Sequence, residues 1–257
     1  MAVQTKKYLI SIITVNFNNI AGLSNTFNSV KSQDFEDFEW LVIDGGSTDG
    51  SADFIERNAS EFSYYISEKD NGIYDAMNKG IRHSNGAFLL FLNSGDILID
   101  KNTLQDVSQF LKEEVIYSGD CRIKDISGES WVKQSRQGLD IFDLYYYTLP
   151  HQSTFIHSGL FTKYGLYRED FRVAGDHESW VRFMLMGCDF KSIPILVSEM
   201  EAGGIGTIIS EDSVREKKWI HEKYFKNFGY GDIHFLLWLK NHKWIYSIYK
   251  TIKNVLK

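Results

Sequence analysis

The chain has 257 residues, of which 43% are hydrophobic and 24% charged, with a formal net charge of −6. That suits one soluble, enzyme-sized domain with at most a short appendage, and an acidic total leaves no electrostatic footprint for a nucleic-acid partner. Two cysteines without metal spacing exclude a disulfide framework or a zinc site, and no apolar run reaches the roughly 18 residues of a membrane span.

Short apolar runs alternate with helix-like segments through the first half. Tyr8–Val15 predicts a strand, too short and too interrupted by Ser11 and Thr14 for a signal peptide. Ile20–Gln33 predicts a helix, Glu39–Asp44 a second strand and Thr48–Arg57 a second helix. Tyr64–Ser67 and Ile73–Arg82 follow as a third strand and helix. Ala87–Leu92 is apolar throughout, as a strand buried on both faces must be. This β-α-β-α-β-α-β order predicts an α/β fold with a mostly parallel sheet flanked by helices.

Polar residues stand at the carboxyl ends of these strands: Asn16 and Asn18, Asp44, Glu68 and Asp70, then Asn93 and Asp96. Open α/β sheets bind ligands beyond that edge. In Asn93-Ser94-Gly95-Asp96, Gly95 permits close approach and Asp96 offers a fixed carboxylate to a metal-bound phosphate. The plain alternative is a loop aspartate that caps the next helix.

Past residue 112 the pattern changes. Val115–Ser118, Cys121–Lys124 and Ser130–Lys133 predict antiparallel strands, with turns at Gly119-Asp120 and Ser127-Gly128. Gln152–His157 predicts another strand and Gly175–Met186 an amphipathic helix. The glycine-rich stretch Glu201–Thr207 is either a loop that closes over a ligand or an ordinary connector. Residues 1–230 thus form one domain, with a nucleotide-binding half to about 112 and a mixed acceptor-side half over 113–230. The tail, 231–257, sets five lysines against one aspartate and carries Phe235, Trp238, Trp244, Tyr246 and Tyr249. Such an amphipathic helical segment suits an anionic membrane surface, or docking on the domain or on a second subunit.

Five segments, Ile10–Asn19, Leu41–Ser51, Glu68–Ile81, Ala87–Asp96 and His151–Arg182, together resemble family 2 glycosyltransferases in order and spacing. The likeness covers roughly residues 8–205 and implies the GT-A fold. It implies a nucleotide-diphosphate sugar donor, with UDP-sugars foremost, seated by Val15, Asn16, Asn18, Asp44, Asp70, Asn71, Asn93, Ser94, Gly95, His151 and Gln152. Asp96 corresponds to a kept acidic position of the family's metal motif, which implies Mg²⁺ or Mn²⁺. Asp176 matches the aspartate of the family's Glu-Asp pair and becomes the candidate general base, with Glu178 in reserve; one base and one displacement imply inversion. The implied acceptor is a hydroxyl of a saccharide or lipid-linked saccharide in polysaccharide assembly, at the cytoplasmic face of the cell membrane.

The chain departs from the family at Gly45, where a second aspartate is common, at Met77, where many members have arginine, and at Gly175, in place of glutamate. A nucleotidyltransferase on a similar sheet and a non-catalytic binding subunit are the rival readings. A dinucleotide-dependent oxidoreductase is disfavoured, because no Gly-x-Gly-x-x-Gly follows the first strand.

Overall fold

The computed structural model describes residues 7–204 and 209–226. Its elements in chain order are β1 (Tyr8–Asn16), α1 (Ile20–Lys31), β2 (Phe38–Asp44), α2 (Ser51–Arg57), β3 (Tyr64–Ser67), α3 (Ile73–His83) and β4 (Gly86–Phe91). Then follow β5 (Ile97–Leu98), α4 (Thr103–Ser108), β6 (Ile116–Lys124), β7 (Ser130–Lys133), α5 (Asp143–Tyr146) and β8 (Thr154–His157). The described chain closes with α6 (Gly159–Tyr164), α7 (Gly175–Leu185), β9 (Phe190–Glu201) and α8 (Glu211–Tyr224).

Strands β3, β2, β1 and β4 are parallel neighbours in that order. Their side chains alternate between two cores. Ile10, Ile12, Trp40, Val42, Phe88 and Leu90 pack with Leu23 and Phe27 of α1. Ile13, Val15, Ile43, Leu89 and Phe91 pack on the other face with Met77 of α3 and Trp180 of α7. Both faces are covered, which is why these runs read as continuously apolar. Gly80 lets α3 close on β1, since a Cβ there would lie 2.4 Å from Ile13 Cγ2.

The sheet continues as β8, β6, β9 and β5, with β7 paired to β6. β8 runs antiparallel to both β4 and β6, whereas β6 and β9 are parallel. All strands therefore belong to one sheet, mixed in its second half, as in the GT-A fold.

Two expectations are corrected, and one strand was not foreseen. The segments 115–118 and 121–124 are one strand, β6, and Gly119-Asp120 is a bulge within it rather than a turn. A Cβ at Gly119 would come within 2.5 Å of Val197 Cγ2, so the close approach of β9 calls for glycine. β9 itself escapes prediction because Pro194 interrupts it; the proline sits where β6 and β9 change register, at the irregularity a sheet tolerates. Gln152 lies in a 3₁₀ turn, His151–Ser153, and β8 begins only at Thr154.

The tail 231–257 lies outside the described residues, as do positions 205–207 of the glycine-rich stretch. Among the described residues no helix is long and apolar enough to cross a membrane.

Candidate active site

The carboxyl ends of β1, β2, β3 and β4 meet at one edge, each closed by a polar side chain. Asp44 is fully buried, and its carboxylate accepts hydrogen bonds from Asn16 Nδ2 (2.7 Å), Ser47 Oγ (2.5 Å), Ser47 N (2.9 Å) and Ser67 Oγ (2.6 Å). Burial pushes its pKa up, but these donors outweigh that and hold it below the ordinary carboxylate value. Asp44 thus ties three strand ends together, and its oxygens are already engaged. Asn18 takes a left-handed φ of 47° and accepts from Thr48 N at 2.8 Å, while its own N–H donates to Ser47 Oγ at 2.7 Å.

Asp70 Oδ1 accepts from Gly72 N at 2.9 Å, and its other oxygen fills the space beside Gly45. A Cβ at Gly45 would lie 2.7 Å from Asp70 Oδ2 and 3.1 Å from Phe17 Cδ2. Asp70 therefore stands where the second aspartate common in the family would project, which accounts for that departure. Asn71 N donates to Asp75 Oδ2 at 3.0 Å, so Asn71 is held by the first turn of α3. The Phe17 ring is 63% exposed beside this cluster and forms a flat apolar wall to it. It was missed from sequence; its signal was a bulky aromatic one residue past a strand's buried end.

The turn after β4 is fixed from two directions. Ser94 N donates to Val15 O at 3.0 Å, and Asn19 Nδ2 donates to Ser94 O at 3.0 Å. Thr26 Oγ1 donates to Asp96 O at 2.8 Å and accepts from Gly95 N at 3.0 Å. Gly95 has φ 104°, which a side chain would strain. Asp96 projects inward, and burial pushes its pKa up to about 6 despite the opposing pull of His151.

His151 bridges this turn to α7. Its Nδ1 lies 3.4 Å from Asp176 Oδ2, and its Nε2 lies 3.1 Å from Asn93 Nδ2 and 4.0 Å from Asp96 Oδ2. When the ring is neutral, with Nδ1–H donating to Asp176, Nε2 accepts from the Asn93 amide and the buried Asn93 Oδ1 is left without a partner. Burial pulls the His151 pKa down, but Asp176 and Asp96 hold it above the ordinary histidine value. Asp176 is likewise opposed by burial but kept ionised by His151 and by the His177 N–H.

Asp176 is positioned by three further groups. Tyr74 OH donates to Val173 O at 2.8 Å and approaches Asp176 Oδ1 at 3.3 Å. His177 N donates to Asp176 Oδ1 at 2.8 Å. Glu216, a buried residue of α8, accepts from Arg172 N, Val173 N and Ala174 N at 2.7, 2.9 and 2.8 Å. Its carboxylate thereby fixes the loop that delivers Asp176. Gly175 departs from the family for a steric reason: a Cβ there would sit 2.8 Å from the Tyr74 ring. No local sequence signal marks Tyr74 or Glu216, because both act across long separations.

Other predicted residues lie elsewhere. Glu178 is corrected as a reserve base: it is 1% exposed, paired with Arg182 Nε at 3.1 Å, and also bonded by Tyr224 OH. The Gln152 side chain is buried against Met200 rather than turned toward the cleft. The His177 ring faces away from Asp176, with Nε2 2.6 Å from Leu144 O. Met77 is a core residue, and Arg82 pairs with Glu169 at 3.3 Å on the surface.

Among the described residues no group of three or more His, Cys, Asp or Glu converges to hold a metal. The donors at the turn are nonetheless hard oxygens: the Asp96 carboxylate and the orphaned Asn93 Oδ1. They fit Mg²⁺ or Mn²⁺ bound with water and substrate phosphates, which needs only one or two protein ligands.

Comparison with known proteins gives the family and the fold. The family described as Glycosyl transferase family 2 matches residues 11–171. An uncharacterized glycosyltransferase of Mycobacterium tuberculosis is 33% identical over 208 residues, covering 77% of each chain. A PGL/p-HBAD biosynthesis glycosyltransferase of Mycobacterium bovis is 32% identical over 178 residues, covering 68% of this chain and 69% of the relative. In fold, the chain is similar to S. aureus TarS in complex with UDP-GlcNAc, with TM-score 0.67 and 19% identity over 83% of this chain and 66% of that one. A mannosyltransferase from Pyrobaculum calidifontis, in complex with GDP-Man and Mn²⁺, gives TM-score 0.59 and 16% identity over 81% of this chain and 60% of that one.

Proposed function

This chain belongs to glycosyl transferase family 2, and we propose that it transfers a sugar from a UDP-sugar to a hydroxyl of a saccharide or lipid-linked saccharide, with inversion. The juxtaposition of Asp96 and Asp176 across His151 carries this reading. The nucleoside lies along the β1, β2 and β3 ends, with its base against Phe17 and its polar edges near Asp70 and the loop that Asp44 organises. Asp96 and Asn93 would hold Mg²⁺ or Mn²⁺, which when bound would neutralise charge on the departing diphosphate. A fold neighbour crystallised with UDP-GlcNAc supports the uridine choice.

Asp176 removes the acceptor proton. It remains ionised at neutral pH, and Tyr74, His177 N and His151 fix its orientation, so the proton acceptor is in place before the hydroxyl arrives. His151 ties the base to the turn that holds the donor. With Asp96 given to the diphosphate, Asp176 is the carboxylate left for the acceptor, and one displacement inverts the anomeric centre. A retaining double displacement calls for a second carboxylate at the sugar, and Glu178 is locked to Arg182.

The relative named for PGL/p-HBAD biosynthesis supports a biosynthetic acceptor. The basic, aromatic composition of 231–257 supports peripheral contact with the inner face of the cell membrane. UDP release from a panel of UDP-sugars, with and without Mn²⁺ and in Asp96→Ala, tests the donor and metal assignments. Release unchanged by Asp96→Ala contradicts the metal assignment. Sedimentation with anionic vesicles, before and after removal of 231–257, tests the membrane assignment.

A further inference from the structure

Lys133 sits at the end of β7 on the acceptor side, opposite Cys121 in the register of β6. Among the described residues no carboxylate lies within 4.0 Å of its ammonium, although the group is largely withdrawn from water. Its ammonium lies over the Tyr147 ring, whose centroid is 4.9 Å from Lys133 Nζ. Arg136 lies over the same ring at 4.4 Å, and its guanidinium reaches Asp143 at 3.6 Å from an exposed position. Two cations thus converge on one tyrosine, and the deeper one has no counter-ion among the described residues. A desolvated ammonium without an anion is costly, and a partner arriving with a ligand relieves that cost.

Cys121, opposite Lys133, accepts from Ser198 Oγ at 3.6 Å, and Ser198 pairs with Ser153 Oγ at 2.6 Å, two residues past His151, so Lys133 lies on the side of the sheet that carries His151 and its partner Asp176. Asp176 is already engaged by His151, Tyr74 and His177 N, so it stands as a neighbour of Lys133 and not as its ion-pair partner. An anion held by Lys133 therefore lies on the same side of the sheet as the base. Tyr147 holds the two cations together, and its hydroxyl is fixed by a hydrogen bond to Gln134 O at 3.1 Å. Two cations held side by side on one ring suit a saccharide whose acidic substituent meets the charges.

We propose that Lys133, Arg136 and Tyr147 form an acceptor subsite for a saccharide that bears an anionic group, a phosphate or a carboxylate, close to the attacked hydroxyl. The inference rests on the glycosyltransferase reading and specifies the class of its acceptor. Burial and the nearby cations draw the Lys133 ammonium below its ordinary pKa, and an incoming anion reverses that pull.

The test uses the full chain saturated with UDP and Mn²⁺. Binding is measured by saturation-transfer NMR for glucose, galactose and mannose, each beside its uronate and its 6-phosphate, with inorganic phosphate as the free-anion control. The expected result is that at least one charged sugar binds about tenfold tighter than its neutral parent. Preference for the 6-phosphate names phosphate as the group and preference for the uronate names carboxylate. Lys133→Gln and Arg136→Gln each reduce that preference, while UDP with Mn²⁺ still raises their thermal midpoints as it does for the unaltered chain. The exposed Arg136 provides a variant that folds even if Lys133→Gln does not. Equal binding of charged and neutral sugars in all three series overturns the proposal, as does a preference untouched by both substitutions, or inorganic phosphate binding as tightly as the sugar phosphate. Absence of UDP binding to the unaltered chain overturns the donor assignment instead, so the two failures are distinguishable.

Discussion

Asp96 and Asp176 face opposite nitrogens of one imidazole: His151 Nε2 is 4.0 Å from the first and Nδ1 is 3.4 Å from the second. The first distance is an electrostatic contact and the second a long hydrogen bond. The donor turn and the base are therefore one imidazole apart, and each carboxylate feels the other's partner. The opposite shifts of the two acids follow: Asp96, buried with little hydrogen bonding, is pushed up to about 6, whereas Asp176, better hydrogen-bonded, is held low.

Asp96 is held at a cost to the metal-free fold. A carboxyl whose folded pKa is raised favours folding fully below its unfolded value, about 3.9, and loses that contribution as pH rises through about 6. Asp96→Asn should therefore raise the melting temperature of the metal-free protein at pH 7.5 by a few degrees, and by less at pH 5. Turnover should fall about a hundredfold or more. Calorimetry at the two pH values checks this, and a variant that melts lower at pH 7.5 contradicts it.

Metal binding should require the nucleotide. One carboxylate and one amide oxygen are weak ligands by themselves, and the diphosphate must supply the rest. Mn²⁺ titrated alone should show no saturable binding below about 1 mM, and should bind measurably once UDP is present. Tight binding of Mn²⁺ in the absence of nucleotide points to a ligand set beyond Asp96 and Asn93.

Glu216 holds the approach to the base from the far end of the described chain. Its replacement by alanine leaves three N–H donors unpaired, one buried and two partly buried, which costs about 1–3 kcal/mol. Turnover should fall with it, because the loop delivering Asp176 loosens. Glu216→Gln retains one accepting oxygen and should fall between the two. Urea unfolding and UDP release, measured on both variants, decide; equal stability of the alanine variant and the unaltered chain refutes the role.

Much of this arrangement was legible in the sequence, for a physical reason. The parallel half is built from local signals, namely apolar runs of strand length, helical periodicity and polar strand ends, and β1 to β4 with α1 to α3 appear within a few residues of expectation. The second half resists because its decisive features are non-local. β6 looks like two strands until β9 explains the bulge at Gly119, and β9 is hidden by Pro194. In the site, Asp96 and Asp176 were visible as residues at motif positions. Tyr74, Glu216 and Lys133 were not, since each gains meaning only from a partner far along the chain. Glu178 misled because it sits on the first turn of α7 beside the base, yet α-helical geometry turns it toward Arg182 four residues on.

Gly175 and Tyr74 should behave as a coupled pair. Gly175→Ala pushes a methyl into the Tyr74 ring, for a loss of about 1–3 kcal/mol, and displaces Asp176. Adding Tyr74→Leu should restore much of the stability but not the turnover, because the hydroxyl aimed at Asp176 is gone. A double-substitution cycle reads the coupling directly, and strict additivity contradicts it.

The most direct measurement is UDP release by Asp176→Asn, using a UDP-sugar that the unaltered chain consumes, alongside thermal protection by UDP with Mn²⁺. The expected result is unchanged protection with release lowered about 10²–10⁴-fold, the contribution of a positioned general base. Release within a few-fold of the unaltered chain, with protection intact, contradicts Asp176 as the group that takes the proton.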